Sequence, residues 1–387
     1  MTLDAARDGV AVVRLMLEEF RSYRALRLEV DPRPVVLTGA NGAGKTNILE
    51  ALSFLAPGRG LRRARLDEVA RRDGGAGVPW AVAARLEQSA GGLDIGPLDI
   101  GTGREAGSER RTVRINGEAA KSQAVLAEVV SLVWLTPSMD RLFSEGASGR
   151  RRFLDRLVMG LDPAHARRAL AYEHAMRERA RLLGDEDGGR GDAAWLATLE
   201  ERMAQEGVAI ASARLAWAKR LDAACRERVG PFPAAALMVD GVIEGWLATQ
   251  SEDEVRARFA KALADARPRD AAAGVTTLGP HRSDLLLRHA DRDLPAEQGS
   301  TGEQKAVLVR VLLAQARVQR AERGQAPMLL LDEVVAHLDE ERRAALFDEL
   351  AALSGQSWLT GTDAALFAPF GDRAQMFRLE AGTLHPV

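Results

Sequence analysis

Apolar and polar positions alternate from residue 10 to residue 30, and the alternation ends at Asp31-Pro32-Arg33-Pro34, a turn signal. The next apolar run, Val35-Val36-Leu37-Thr38, is short and β-branched and predicts a buried strand. Gly39 to Gly44 form a glycine-rich turn, and from Lys45 the apolar positions fall at helical spacing. Residues 78 to 118 predict a meander of short strands: Trp80 to Leu86, Leu93 to Ile100 and Arg111 to Ile115, with Asn116-Gly117 as a hairpin turn. The stretch Val125 to Leu135 returns to the core and stops at Pro137.

Near Asp162 the pattern becomes helical. Ala164 to Leu183 and Asp192 to Val229 are rich in Ala, Leu, Arg and Glu, and a polar turn, Gly-Asp-Glu-Asp-Gly-Gly-Arg-Gly, separates them. This predicts an αα-hairpin whose second arm, at up to 38 residues, would run about 57 Å if unbroken. An ordinary helical subdomain with shorter, kinked helices is the alternative. Beyond Pro268, Val275-Thr-Thr-Leu and Asp284-Leu-Leu-Leu-Arg predict strands, and residues 289 to 299 a polar loop. Gly302 to Arg323 predicts a long helix, Met328 to Asp332 a buried strand, Glu340 to Leu353 a helix, and Ser357-Trp-Leu-Thr a last core strand. The expected fold class is α/β. Residues 1–160 and 269–387 are expected to co-fold into one head of mixed sheets with flanking helices, and residues 161–268 to form a helical-hairpin arm.

Composition narrows this only a little. The 387 residues suffice for two or three domains, and 46% hydrophobic with 28% charged residues is an ordinary globular balance. Cys225, the single cysteine, excludes an intramolecular disulfide, and no orienting His motif supports a catalytic thiol. No apolar run approaches the roughly 18 residues needed to cross a bilayer, and Met-Thr-Leu-Asp-Ala-Ala-Arg-Asp lacks a signal-peptide core, so a soluble cytoplasmic protein is expected. A net charge of −2 does not mark a polyanion binder. Arginines nevertheless cluster at Arg59, Arg62, Arg63 and Arg65, and at Arg150, Arg151 and Arg152. Arg63, Arg65, Arg150 and Arg151 are the candidates for DNA phosphate contacts, against the bland reading of a solvated face.

Chemistry enters with three motifs. Gly39-Ala40-Asn41-Gly42-Ala43-Gly44-Lys45-Thr46, followed by Asn47, fits G-x-x-x-x-G-K-[ST] at every fixed position. Its glycines let backbone N–H groups surround phosphate oxygens at a helix N-terminus, Lys45 adds a cation, and Thr46 offers a hydroxyl to Mg²⁺. Met328-Leu-Leu-Leu-Asp332-Glu333 is an apolar strand ending in two carboxylates. Asp332 is expected to orient the magnesium and Glu333 to polarise an attacking water, as catalytic residue. Roughly 290 residues separate the two motifs, so the ends of the chain must meet in one ATP site.

The third motif, Ser300-Thr301-Gly302-Glu303-Gln304-Lys305, opens a long helix 32 residues before Asp332. It resembles the signature of ABC-type ATPases, with Thr301 where a Gly usually stands. In that superfamily the segment caps the γ-phosphate held by another subunit, which assigns Ser300, Gly302 and Glu303 to the nucleotide; a capping box, Ser300 with Glu303, is the compatible local reading. His337-Leu338-Asp339 matches the D-loop and makes Asp339 an expected dimer contact. Thr360-Gly361-Thr362 stands where many ABC proteins carry a switch His, so slow hydrolysis is expected, and Thr136-Pro137 occupies the Q-loop region without a glutamine.

Taken in order, these segments resemble the RecF family. "LEEFRSYRALRLEVDPRPVVLTGANGAGKTNILEALSFLAPGRGLRRARLDEV" is similar to its N-terminus, "TPSMDRLFSEGASGRRRFLDRLV" to its lid and Arg-Arg-x-Phe-Leu-Asp segment, and "LGPHRSDL" and "TGTD" to later stretches. The resemblance implies an ABC head with a helical lobe II, ATP-dependent homodimerisation and binding to gapped or junction DNA. It also implies partners RecR and RecO in aiding RecA loading. An ABC transporter subunit is disfavoured by the helical hairpin, and a chromosome-structuring SMC protein by the absence of long coiled coils. A binding module with ATP as a latch, and another SMC-like or ABC-type ATPase not tied to RecA loading, remain the competing readings.

Overall fold

The computed structural model describes residues 9–71, 78–90, 93–184, 193–227, 230–353, 355–380 and 382–387. The signal-peptide reading at residues 1–8 and most of the glycine-rich turn after Gly184 lie outside them. The chain begins with β1 (Gly9–Phe20), β2 (Tyr23–Glu29), β3 (Val35–Thr38), α1 (Lys45–Ser53), β4 (Trp80–Ala90), β5 (Leu93–Arg104), β6 (Thr112–Ile115), β7 (Glu118–Ala119), α2 (Leu126–Val129) and β8 (Leu132–Leu135). It continues through α3 (Ala147–Leu161), α4 (Ala164–Gly184), α5 (Ala193–Arg226), β9 (Ala235–Asp240), α6 (Val242–Leu247), α7 (Glu252–Asp265), α8 (Arg267–Ala273), β10 (Asp284–His289) and β11 (Leu294–Pro295). It ends with α9 (Thr301–Arg323), β12 (Met328–Leu331), α10 (Glu340–Ala352), β13 (Ser357–Gly361), β14 (Gln375–Glu380) and β15 (Thr383–Pro386). These elements form two compact units: Met1–Asp140 with Arg228–Ala234 and Gly299–Val387, and Arg141–Glu227 with Ala235–Gln298.

The first unit holds two six-stranded sheets. One runs β2-β1-β4-β5-β6-β7, and its paired strands are antiparallel. The other runs β15-β14-β3-β13-β12-β8 and is parallel except at β15. The strands VVLT, MLLL and LVWL are buried at every position, which is why they read as apolar runs without alternation. Between the sheets lies a core that includes Val12, Leu15, Leu37, Leu52, Leu330 and Trp358. Phe20, Phe54 and Trp80 meet there edge-on or tilted, with centroids 5.1–6.0 Å apart. Asn116 and Gly117, both at positive φ, make the hairpin turn between β6 and β7.

Chain ends are joined through buried amides. The Gln356 carboxamide accepts from the Val12 N–H and the Trp358 indole, and it donates to the carbonyls of Val12 and Asp31. Gln375 makes a similar clip to Asp31 and Arg33. The Gln356 amide satisfies the Val12 backbone groups, which would otherwise be stranded in the core.

The second unit extends on both sides of the expected 161–268 arm. Its helical hairpin is present: α5 has 34 residues, about 51 Å at the standard rise, and it packs on α4. It is not bare, because Tyr172, Met203, Val208, Ile243, Val255 and Phe259 bury one core between the hairpin, α6 and α7. A Cβ at Gly207 would stand 2.8 Å from the Phe259 ring, so glycine there sets the helix approach. β9, β10 and β11 form an antiparallel sheet of this unit. Thus the Gly279 to Asp284 stretch belongs here rather than to the head. Val275 to Leu278, expected as a strand, is irregular. Its polar groups are drawn elsewhere: Thr277 donates through N and Oγ1 to Asp270, Arg179 donates to Thr276 Oγ1, and Thr276 O faces the His281 ring.

Candidate nucleotide-binding site

β3, β13 and β12 lie side by side, and the candidate residues follow their C-terminal ends, where open parallel sheets present ligand crevices. After β3 the chain turns through Gly39, Gly42 and Gly44, all at positive φ. Gly39 is doubly constrained, since a Cβ would stand 2.5 Å from the Leu379 carbonyl. Gly44 is held as closely: a Cβ would be 2.6 Å from the Tyr23 hydroxyl, which donates to the Gly44 carbonyl at 3.2 Å. Burial pushes the Tyr23 pKa up, so that hydroxyl keeps its proton. α1 then starts at Lys45 with no side-chain cap, leaving the positive end of its dipole and its opening N–H groups facing the loop. Ala40, Asn41 and Ala43 complete the loop, with Ala43 N–H bonded to the Ala40 carbonyl.

Lys45 is 4% exposed, and its Nζ donates to the carbonyls of Gly39 and Ala40 at 2.7 and 3.0 Å. It therefore sits folded into its own cradle, 3.9 Å from Glu333 Oε1. Asn47 donates to Ser22 Oγ and accepts from Arg62, which also bonds the fully buried Glu50. In this structure Asn47 therefore braces the loop through neighbouring side chains.

Thr46 Oγ1 donates to Asp332 Oδ1 at 2.9 Å, bringing the two motifs into contact. A hydroxyl and a carboxylate at that separation are hard oxygen donors suited to Mg²⁺, which commonly keeps waters and substrate phosphates as its other ligands. A third residue completes the arrangement. Thr360 Oγ1, fully buried on β13, donates to the same Asp332 oxygen at 2.7 Å and accepts the Glu333 N–H at 3.0 Å. Glu333 has φ 55°, a left-handed conformation that costs a non-glycine residue about 1–3 kcal/mol. The Thr360 bond to its N–H helps hold that turn. The sequence placed Thr360 correctly in the chain but gave no sign of this role, which needs β12 and β13 to be neighbours.

Ser300 is the N-cap of α9 in a complete capping box: it accepts from the Glu303 N–H, and its own N–H and hydroxyl donate to Glu303 Oε2. Beyond its own turn of helix, no atom lies within 4 Å of where a Gly302 Cβ would be, and its φ is not positive. Nothing in the chain's own packing asks for glycine there. Asp339 caps α10 through the Arg342 N–H, and it is exposed. Thr136, at the end of β8, pairs its hydroxyl with Ser138.

The four candidate DNA arginines fall into different surroundings. Arg63 is exposed at φ 56°, and Arg65 is 74% exposed beside Asp67. Arg150 is turned inward instead: it pairs bidentately with Asp284 and donates to the carbonyls of Leu142, Phe143 and Glu145. That engaged guanidinium is a structural tie of the second unit. Arg151 is partly buried and donates to the Ser283 carbonyl. Cys225 is buried within α5.

Comparison with known proteins places the chain in a family. Residues 11–370 match the RecF/RecN/SMC N-terminal domain. The chain is 49% identical over 375 residues to "DNA replication and repair protein RecF" of Allorhizobium ampelinum, covering 96% of this chain and 97% of that one. It is 50% identical over 380 residues to the protein of the same name from Mesorhizobium japonicum, covering 97% and 98%. Among solved structures, the recombination mediator RecF with ATP, described in the RecFOR pathway, superposes with a TM-score of 0.81 at 22% identity, covering 98% and 99%. An Smc head domain from Pyrococcus furiosus gives 0.54 at 16% identity, covering 98% and 96%.

Proposed function

The chain belongs to the RecF family of DNA replication and repair proteins, and from that premise we propose that it is an ATP-gated DNA-binding protein of recombinational repair. The observation that supports this most directly is the Thr46–Asp332 bond, which assembles a phosphate cradle and a metal-orienting carboxylate from opposite ends of the chain. Lys45, the loop N–H groups and the α1 N-terminus bind and orient the phosphates of ATP. Thr46 and Asp332 hold Mg²⁺, which when bound supplies charge neutralisation between phosphate oxygens. Glu333, held near Lys45, accepts hydrogen bonding from water and withdraws its proton during slow hydrolysis.

Ser300, Gly302 and Glu303 meet the γ-phosphate of a second copy, and Asp339 contacts that copy. The unobstructed space over Gly302 supports this, because room is kept there that the chain itself does not use. ATP thus closes a homodimer on gapped or junction DNA in the cytoplasm, with RecO and RecR as partners in aiding RecA loading.

Sedimentation with ATP, ADP or no nucleotide tests the reading. Ser300→Arg is expected to bind ATP as a monomer, since its own cradle is intact, yet fail to dimerise. Lys45→Ala is expected to lose ATP binding itself, and mixing the two variants restores one intact hybrid site. A Ser300→Arg protein that dimerises with ATP like the wild type overturns the trans arrangement.

A further inference from the structure

The stretch Gly279-Pro280-His281-Arg282-Ser283-Asp284 plays no part in the nucleotide site, yet its polar groups are tied down almost without exception. Arg214 donates to the Pro280 carbonyl and pairs bidentately with Asp155. Ser283 Oγ donates to the buried Glu244 carboxylate, and Arg151 donates to the Ser283 carbonyl. Asp284 holds Arg150. The His281 Nε2 faces the Thr276 carbonyl at 2.9 Å and must donate to it. Burial, with the nearby charges of Arg282 and Arg151, lowers the His281 pKa, so the ring is neutral and its Nδ1 accepts the Tyr172 hydroxyl at 2.8 Å. Gly279 is required by the same packing: its φ is 139°, and a Cβ would lie 2.2 Å from the Tyr172 oxygen.

One side chain stands outside this network. Arg282 is exposed, and its guanidinium has no hydrogen-bond or ion-pair partner among the described residues. Its backbone is fixed, since its N–H donates to the Gly279 carbonyl at 2.9 Å. A rigid turn thus presents a single uncommitted cation. The local charges do not balance around it: Asp284 answers Arg150, and Asp155 with Glu244 answers Arg214. Arg151 and Arg282 are left without a carboxylate at salt-bridge distance among the described residues. Burial, then the positive charge of Arg214, and further that of Arg282, lower the Arg151 pKa against the pull of Asp284 and Asp155. Arg151 donates to the carbonyl of Ser283, the residue after Arg282, so one turn carries both like charges, one of them partly desolvated, and an anion beside them would relieve the repulsion.

We propose that Arg151 and Arg282 form a phosphate-binding pair that grips the DNA backbone, with the buried polar turn as its rigid support. The pair deepens the proposed DNA binding and rests on that reading. Arginine suits the task because its planar fork matches phosphate oxygens, and a pre-set backbone loses less freedom on contact. Because phosphates carry no base identity, the contact adds affinity and register rather than sequence preference.

The test uses the full chain with ATP and a fluorescent gapped duplex, measuring affinity by anisotropy across a salt series. Arg282→Gln should lower the slope of log affinity against log salt by about 0.9, the value for one duplex phosphate contact. Arg151→Gln combined with Arg282→Gln should lower it by about 1.8 on the same basis. Arg151→Lys, which keeps the charge, should retain most of the slope, and this separates charge from damage to the fold. Arg256→Ala, which removes an exposed arginine paired with Asp253, is the control and should leave the slope alone. ATP hydrolysis without DNA should be unchanged in Arg282→Gln. If the wild type binds DNA and Arg282→Gln binds with the same slope, the proposal is overturned while DNA binding stands. If the wild type binds no DNA at any salt, the functional reading fails first. Loss of binding to an acidic protein partner with an unaltered DNA slope would reassign the pair and overturn it as well.

Discussion

Replacing Thr360 with Val keeps the shape of a fully buried side chain and removes only its hydroxyl. Two bonds disappear, the one donated to Asp332 and the one accepted from the Glu333 N–H. A hydrogen bond to a charged group contributes about 1.5–3 kcal/mol, and a stranded buried N–H costs about 1–3 kcal/mol. Asp332 retains Thr46, so the lower ends of these ranges apply, and about 1.5–2.5 kcal/mol of the loss should fall on the placement of Asp332 and Glu333. At 1.36 kcal/mol per tenfold, that slows hydrolysis by roughly 10- to 70-fold. Nucleotide affinity should stay near wild type, because the loop and Lys45 are untouched. Single-turnover hydrolysis at saturating ATP, beside titration with a fluorescent ATP analogue, separates the two effects. Thr360→Ser, which restores the hydroxyl, should recover most of the rate. A Val variant that hydrolyses at the wild-type rate, or a Ser variant as slow as Val, would refute the positioning role.

Glu333→Gln should hydrolyse ATP far more slowly while still binding it, and its ATP-bound dimer should outlast that of the wild type in gel filtration; equal turnover removes Glu333 from the chemistry. His281 gives a pH dependence with a definite sign. Its folded pKa lies below the ordinary value near 6.5, so the unfolded chain binds the proton more readily and stability falls as pH drops below about 6.5. His281→Gln should flatten that part of the denaturation profile measured by urea melts, and an unaltered profile assigns the dependence elsewhere. Asp155→Ala should destabilise the second unit by at most about 3–5 kcal/mol, because buried Arg214 then keeps only Glu244, 3.8 Å away, as counter-charge; a change within error in chemical denaturation counts against that pairing.

The candidate nucleotide site was legible in the sequence because the chemistry it suggests is local. A phosphate cradle needs glycine, lysine and threonine at fixed spacing, and each buried strand that carries a motif is an unbroken apolar run. What was hidden depends on contacts across long separations. The Arg150 and Arg151 cluster announced charge, but their partners Asp284 and Ser283 lie 134 and 132 residues away. β9 is a six-residue strand, AALMVD, whose alternation becomes meaningful only beside β10. The 275–278 stretch has β-branched residues, yet its hydroxyls and carbonyl serve the Arg179, Asp270 and His281 contacts, and these outweigh its strand propensity. Thr360 is similar: only the order of strands shows that its hydroxyl reaches both carboxylate-bearing residues.

The pairing of β3 with β13 on one side and β14 on the other has a consequence for synthesis. Val35 to Thr38 are made long before either strand that flanks them, Ser357–Gly361 and Gln375–Glu380. Until then the apolar strand bearing the nucleotide loop has neither neighbour, and its ladder hydrogen bonds cannot form. A nascent chain, or one cut short before residue 357, therefore cannot assemble the crevice at all. The second unit has no such dependence, since its segments lie between. A fragment ending at Gln298 would keep Arg151 and Arg282 while lacking β12, β13 and β14. Strand order thus makes assembly of the crevice wait on β13 and β14.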